Sequence, residues 1–60
     1  MVENAILNNL IGRKAQVRVY MVNGYQLKGI IKNFDEKVIK LFSDGKELII
    51  YKRAISTIEY

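Results

Sequence analysis

Sixty residues make one small domain, and a chain this short buries only about 60% of the surface that its unfolded form exposes, so it needs support beyond its own core. There is no Cys and no His, which excludes disulfides, zinc fingers and the common nucleophile–base pairs of enzymes, and leaves association between subunits as the remaining support. Ten Lys and Arg stand against six Asp and Glu, and the resulting net charge of +4 suits either a polyanionic partner or an ordinary basic surface kept soluble.

The start, Met1-Val2-Glu3-Asn4, has no basic segment ahead of an apolar one and so is not a signal peptide. No apolar run approaches the roughly 18 residues of a membrane helix, and the lack of Cys fits a reducing cytoplasm. Residues 2–11 read as a helix, with Val2, Ile6 and Leu10 at i, i+4, i+8 and Leu7 and Ile11 beside them. Gly12 stands where a left-handed helix cap belongs, and Arg13 and Lys14 follow. One short amphipathic helix cannot make a core, so it must lie on something.

The rest of the chain reads as β. Val17, Val19 and Met21 alternate with Gln16, Arg18 and Tyr20, which is strand periodicity. Asn23-Gly24 signals a hairpin in which both turn residues take positive φ. A second strand runs from Tyr25 to about Phe34, and Gly29 inside it predicts a sharp bend. Asp35-Glu36 turns the chain, with Asp35 bonding turn backbone. Val38 to Phe42 is a third strand, and Ser43-Asp44-Gly45-Lys46 is a second tight turn. Glu47 to Lys52 is a fourth strand and Ala54 to Ile58 a short fifth, with almost no room for a loop between them. The fold class is therefore mainly β: an N-terminal helix followed by a strongly bent five-stranded antiparallel barrel spanning residues 1–60. Strands four and five would be its edges, apolar through Ile49, Ile50, Ile55 and Ile58. Pairing strand four of one subunit with strand five of the next would cover both edges and close a ring.

Two motifs add a resemblance to this reading. Tyr20-Met21-Val22-Asn23-Gly24-Tyr25-Gln26-Leu27-Lys28-Gly29, followed by Phe34-Asp35, looks like the first Sm signature. Tyr51-Lys52-Arg53-Ala54-Ile55-Ser56-Thr57 is similar to the tyrosine-lysine-histidine-alanine-isoleucine-serine-threonine segment of Hfq. The match spans Leu7 to Ile58, and the chain resembles a divergent Hfq without a C-terminal tail. That resemblance implies an Sm-like barrel, a homohexameric ring and an RNA chaperone acting in post-transcriptional regulation on small RNAs and mRNA, with no cofactor or metal. Six copies would carry a charge of about +24, enough to draw in a polyanion.

The resemblance also assigns sites. A uridine pocket near the central pore uses the lysine of the second motif, here Lys52. Arg53 replaces the family histidine, keeping the donors and making the charge permanent. Glu36 and Lys37 stand where the family has a glutamine and a base-stacking aromatic, and Glu3 stands for a pocket-lining glutamine, with Asn4 at the usual aspartate. The positive ring is kept while the groups that read the base are changed. On the opposite face adenines would stack on Tyr20, with Gly24, Tyr25, Gln26, Leu27, Lys28 and Thr57 around them. Lys28 and Leu48 replace glutamines used by some members. A rim site reduces to Arg13 and Lys14 with Asn8 nearby, which implies weaker RNA annealing. Tyr51 and Ile55 flank the expected subunit contact, and Tyr51 is read as mainly structural.

Three functions remain open on the sequence: this chaperone, an archaeal-type Sm protein binding oligouridine, and a ring that scaffolds protein partners. The Tyr51 to Thr57 segment argues against the second, because archaeal Sm proteins usually carry an arginine–glycine signature there. An enzyme is not expected, because Asp35 and Glu36 are adjacent and would point to opposite sides of a strand.

Overall fold

The helical stripe of the sequence forms α1 (Asn4–Gly12) in the computed structural model, which describes residues 3–60. Val2, first in the predicted stripe, lies outside the described residues. Leu7 and Leu10 are fully buried and Ile11 is half-buried beside them, whereas Ile6 is left on the exposed flank. The buried stripe is therefore an i, i+3, i+4 set starting at Leu7, not the Ile6–Leu10 line.

The helix also ends later than its glycine suggests. Gly12 stays inside α1, and the left-handed residue is Lys14, at φ 51°. The Lys14 N–H donates to the Ile11 carbonyl and the Ala15 N–H to the Leu10 carbonyl, both at 3.0 Å, the paired bonds of a Schellman ending. This register turns Ala15 inward against the core. Lysine carries the Cβ clash of the left-handed region that glycine avoids. Lys14→Gly is expected to stabilise the fold by about 0.5–1 kcal/mol, read as a higher urea midpoint at unchanged slope.

Five strands follow: β1 (Gln16–Met21), β2 (Gln26–Phe34), β3 (Val38–Ser43), β4 (Lys46–Tyr51) and β5 (Ile55–Glu59), with a 3-10 turn, η1 (Lys52–Ala54), joining the last two. All four pairings are antiparallel, in the order β4-β3-β2-β1-β5, so β4 and β5 are the edges. Those edges must nonetheless lie close together. In a flat sheet they would be about 19 Å apart. The four peptide steps from Tyr51 to Ile55 reach at most about 14 Å. The sheet is therefore curled. Backbone bonds fix η1 across the gap, from the Lys52 N–H to the Lys37 carbonyl and from the Val22 N–H to the Ala54 carbonyl, each 2.8 Å.

At Gly29 the backbone of β3 comes close against β2, and the β2–β3 pairing itself slips further on, between Ile31 and Asn33. Gly29 pairs with Val17 on one side, and on the other the end of β3 crosses directly above its Cα. A Cβ built there would fall on the Phe42 carbonyl oxygen and lie 3.0 Å from the carbonyl carbon, so only glycine fits.

The two hairpins use turns of different kinds. Asp44 (φ 53°) and Gly45 (φ 78°) are both left-handed, forming a two-residue turn closed by the Ser43–Lys46 pair. At Asn23-Gly24 only Gly24 takes positive φ, at 95°. Here the Gly24 N–H donates to the Met21 carbonyl and the Met21 N–H to the Tyr25 carbonyl, which makes a three-residue loop ending in a glycine bulge. The extra residue carries Val22 to its bond with Ala54. Asn23 braces the loop through its side chain, whose Oδ1 accepts the Tyr25 N–H at 3.0 Å.

Leu7, Leu10, Val17, Val19, Ile31, Ile39, Leu41 and Ile50 form one buried core, with no buried polar side chain among the described residues. Strand alternation leaves Gln16, Arg18 and Tyr20 of β1 on the outer face.

Candidate functional site

Two groups of predicted site residues come together at different places on the barrel. The first forms where η1 meets the β2–β3 turn. Asp35 sets that turn. Its Oδ1 accepts the Lys37 N–H at 2.8 Å and the Val38 N–H at 2.9 Å, while its own N–H donates to the Val38 carbonyl. Asp35 and Glu36 thus lie in the turn, outside β2 and β3, and their separation along a strand does not arise. The same turn presents Glu36 and Lys37, which line one hollow with Tyr51, Lys52 and Arg53. Lys52 is half-buried and held from two sides: Nζ donates to Asn4 Oδ1 at 3.2 Å and lies 5.0 Å from the centre of the Phe34 ring. Arg53 is exposed and lies over the Tyr51 ring at 5.3 Å. Three cations thus surround a shallow apolar floor with Glu36 at its margin, an arrangement that can neutralise phosphate and donate to carbonyl oxygens. Glu3 is not in this hollow. It lines another, between α1 and β5, with Ile6, Ser56 and Thr57.

The Asp35 carboxyl is held below its ordinary range, first by the two backbone N–H bonds and secondarily by the nearby charges of Lys52 and Lys37. A lowered folded value means that the unfolded chain takes up the proton first. The stabilisation is therefore complete above the ordinary carboxylate range and is lost as pH falls through the folded value, in a window below about pH 4. Melts recorded from neutral pH downward should show Tm falling through that window, and Asp35→Asn, which has no proton to take up, should start lower and fall less steeply.

The second group lies across β2, β1 and β5. Tyr20 pairs with Gln26 on one side and Thr57 on the other, so the three share the outer face. Two residues along, Arg18 pairs with Lys28 and Glu59, giving a parallel row. Tyr20 is half-buried and its hydroxyl donates to Glu59 Oε1 at 3.0 Å. Leu27 points the other way and packs on the core, as does Leu48. Gly24 forms the hairpin bulge. Tyr25 lies opposite Met21 on the reverse face, lining an apolar groove along the β4 edge with Leu27, Leu48, Ile49 and Tyr51. Within one subunit Tyr20 and Tyr25 therefore do not converge.

Asn8, Arg13 and Lys14 are all exposed at the outside of α1 and its end, where Arg13 Nε donates to Asn9 Oδ1 at 2.9 Å. Arg18 and Glu59 were not read from the sequence as site residues, although both lie in the Tyr20 surface. The alternation that places Tyr20 outward also places Arg18 there, so that signal was available. Nothing local marks Glu59, which reaches Tyr20 from 39 residues away. Among the described residues no cluster of acidic side chains is placed to hold a metal ion, and no helix is long and apolar enough to cross a membrane.

Residues 2–60 match the family model described as Hfq protein. The chain belongs to the Hfq family. It is 50% identical over 56 residues to the RNA-binding protein Hfq of Alkaliphilus metalliredigens, a match covering 93% of this chain and 70% of the relative. The Hfq of Desulforamulus reducens is 46% identical over the same shares of the two chains. A crystal structure of the pleiotropic translational regulator Hfq superposes with a TM-score of 0.93 at 40% identity, covering 95% of each chain. The bent five-stranded barrel carrying an N-terminal helix is thus the Hfq fold, as the two sequence motifs led one to expect.

Proposed function

We propose that this Hfq-family chain acts as one 60-residue domain in a cytoplasmic homohexameric ring. The ring binds single-stranded RNA and serves as an RNA chaperone in post-transcriptional regulation, bringing small RNAs to mRNA. A-rich segments lie along the Tyr20–Gln26–Thr57 row, where a base stacked on the aromatic ring contributes about 1–3 kcal/mol. Gly24 and Lys28 lie beside that row within the subunit, and Tyr25 and Leu27, on the reverse face, reach it only across the contact between subunits in the ring. U-rich ends take the hollow of Lys37, Lys52 and Arg53. Glu36 adds charge repulsion there, so oligo-A is bound more tightly than oligo-U. Arg13, Lys14 and Asn8 form a weak rim.

The observation that carries this reading is the separation of the two groups. A stacking row lies across β2, β1 and β5, and a cation-lined hollow lies at η1, each built from different residues. Competition binding by fluorescence anisotropy with short oligo-A and oligo-U tests it. Binding of both without mutual competition is the expected result. Tyr20→Ala should weaken oligo-A about tenfold or more and spare oligo-U, and Lys52→Ala should do the reverse. Binding of oligo-U alone, or loss of both RNAs with either variant, would contradict two independent faces. Binding of neither RNA at low salt would leave a ring that scaffolds protein.

A further inference from the structure

Glu59 occupies an unusual place for a carboxylate on a basic chain. It lies at the end of β5 against the outer face, and one oxygen meets two groups. Oε1 accepts the Tyr20 hydroxyl at 3.0 Å and lies 3.9 Å from Arg18 Nε. Both side chains of the Arg18–Glu59 pair are well exposed, at 41% and 63%. Across β1 from Glu59, Lys28 pairs with Arg18. Arg18, Lys28, Glu59, Gln16 and the exposed ring of Tyr60 line one hollow. An oxygen anion therefore already lies beside an arginine whose other strand neighbour is a lysine, next to the aromatic ring on which a base would stack.

We propose that Arg18 and Lys28 form a backbone-phosphate subsite beside Tyr20, and that Glu59 is its internal occupant in the free protein. This rests on the reading that the Tyr20 face binds RNA, and it adds a residue that works against binding. An incoming phosphate takes the place of the Glu59 carboxylate beside Arg18, and the guanidinium exchanges one oxyanion for another. The carboxylate swings into solvent and releases the Tyr20 hydroxyl, leaving the tyrosine free to settle under a base. Tyr60, exposed at the margin of the hollow, offers a second ring to the neighbouring nucleotide. No bond is made or broken in this exchange. Its consequence is that Glu59 competes with phosphate and weakens RNA binding on this face.

Four variants and two probes test the proposal, with circular dichroism to verify that each variant is folded. Arg18→Gln should weaken oligo-A binding about three- to tenfold and flatten the dependence of log K on log salt, because fewer phosphates are neutralised. Glu59→Gln should tighten oligo-A binding about threefold and steepen that dependence. Glu47→Gln makes the same charge change on the β3–β4 hairpin, where Glu47 pairs with Lys40, and should give a smaller gain. The second probe is inorganic tripolyphosphate, which has no base, followed through the Arg18 Nε–H resonance. A saturable shift that grows in Glu59→Gln supports the subsite even if oligo-A binding fails, in which case only the stacking reading falls. Oligo-A binding that responds to Tyr20→Ala but not to Arg18→Gln or Glu59→Gln, with no Arg18 shift, overturns the subsite alone. Equal gains from Glu59→Gln and Glu47→Gln overturn it as well, since net charge would then explain the effect.

Discussion

Gly29→Ala will leave little or no folded protein. One methyl group rarely has so large an effect, and the reason lies in what stands opposite. Most overpacked sites give way by a side-chain rotation and cost about 1–3 kcal/mol. Here the added carbon falls on the Phe42 backbone, with the Ser43 Cα at 3.2 Å, and neither can rotate aside. Relief requires β3 to move away from β2. That would break the Ile30–Phe42 and Ile31–Leu41 pairs and lift Leu41 and Ile39 out of the core they share with Leu7 and Leu10. Fully burying one such side chain contributes about 1.5–3 kcal/mol. Losing two or three of them is comparable to the whole stability of a domain this small. Far-UV circular dichroism and a urea melt of the purified variant decide it. A cooperative transition within about 1 kcal/mol of the parent would show that β3 can cross β2 without a bare Cα at this position.

Gly29 also illustrates which parts of the fold were legible in the sequence. A glycine within a strand marks a place where another backbone can come close, as β3 does here, and the alternation in Gln16 to Met21 gives the faces of β1 without reference to anything distant. Strands β4 and β5 are the edges, as expected, but of the four isoleucines expected to make them apolar only Ile49 is exposed: Ile50 belongs to the core, and Ile55 and Ile58 pack against it. What the sequence concealed was decided by partners far along the chain. The cap moved from Gly12 to Lys14 because Ala15 has a place in the core. The Asn23-Gly24 hairpin took a third loop residue while Val22 met Ala54, a bond between segments some thirty residues apart. Of the candidate site residues, Lys37, Lys52 and Arg53 were legible as neighbours because one motif and one turn deliver them to the same hollow. The bond from Glu59 to Tyr20 was not, because strand β5 reaches β1 only after the sheet has curled.

In the proposed ring, a charge on the open edge of β4 should separate the subunits without unfolding them. Ile49 of β4 is 56% exposed and pairs with Lys40 on the outer face, so Ile49→Asp removes little from the core. Its surroundings matter more between subunits. An edge strand has a row of unpaired N–H and C=O groups, and the apolar groove beside it, from Met21 to Tyr51, lies open in the single chain. Pairing β4 with the β5 of a neighbour would satisfy those groups and cover that groove. An aspartate placed in the contact loses the apolar burial and adds an unpaired charge, for about 2 kcal/mol or more at each interface. A closed ring repeats the loss at every contact, so a modest local change becomes a large one for the assembly. Light scattering of Ile49→Asp at micromolar concentration should give monomers with a native circular dichroism spectrum. RNA affinity should fall about a hundredfold or more, because a strand that bound several subunits at once now meets one at a time. The two readouts should change together across a series of Ile49 variants, with Ile49→Val intact on both. A folded Ile49→Asp monomer that keeps the parent's RNA affinity would place binding within one barrel and remove the functional need for a ring.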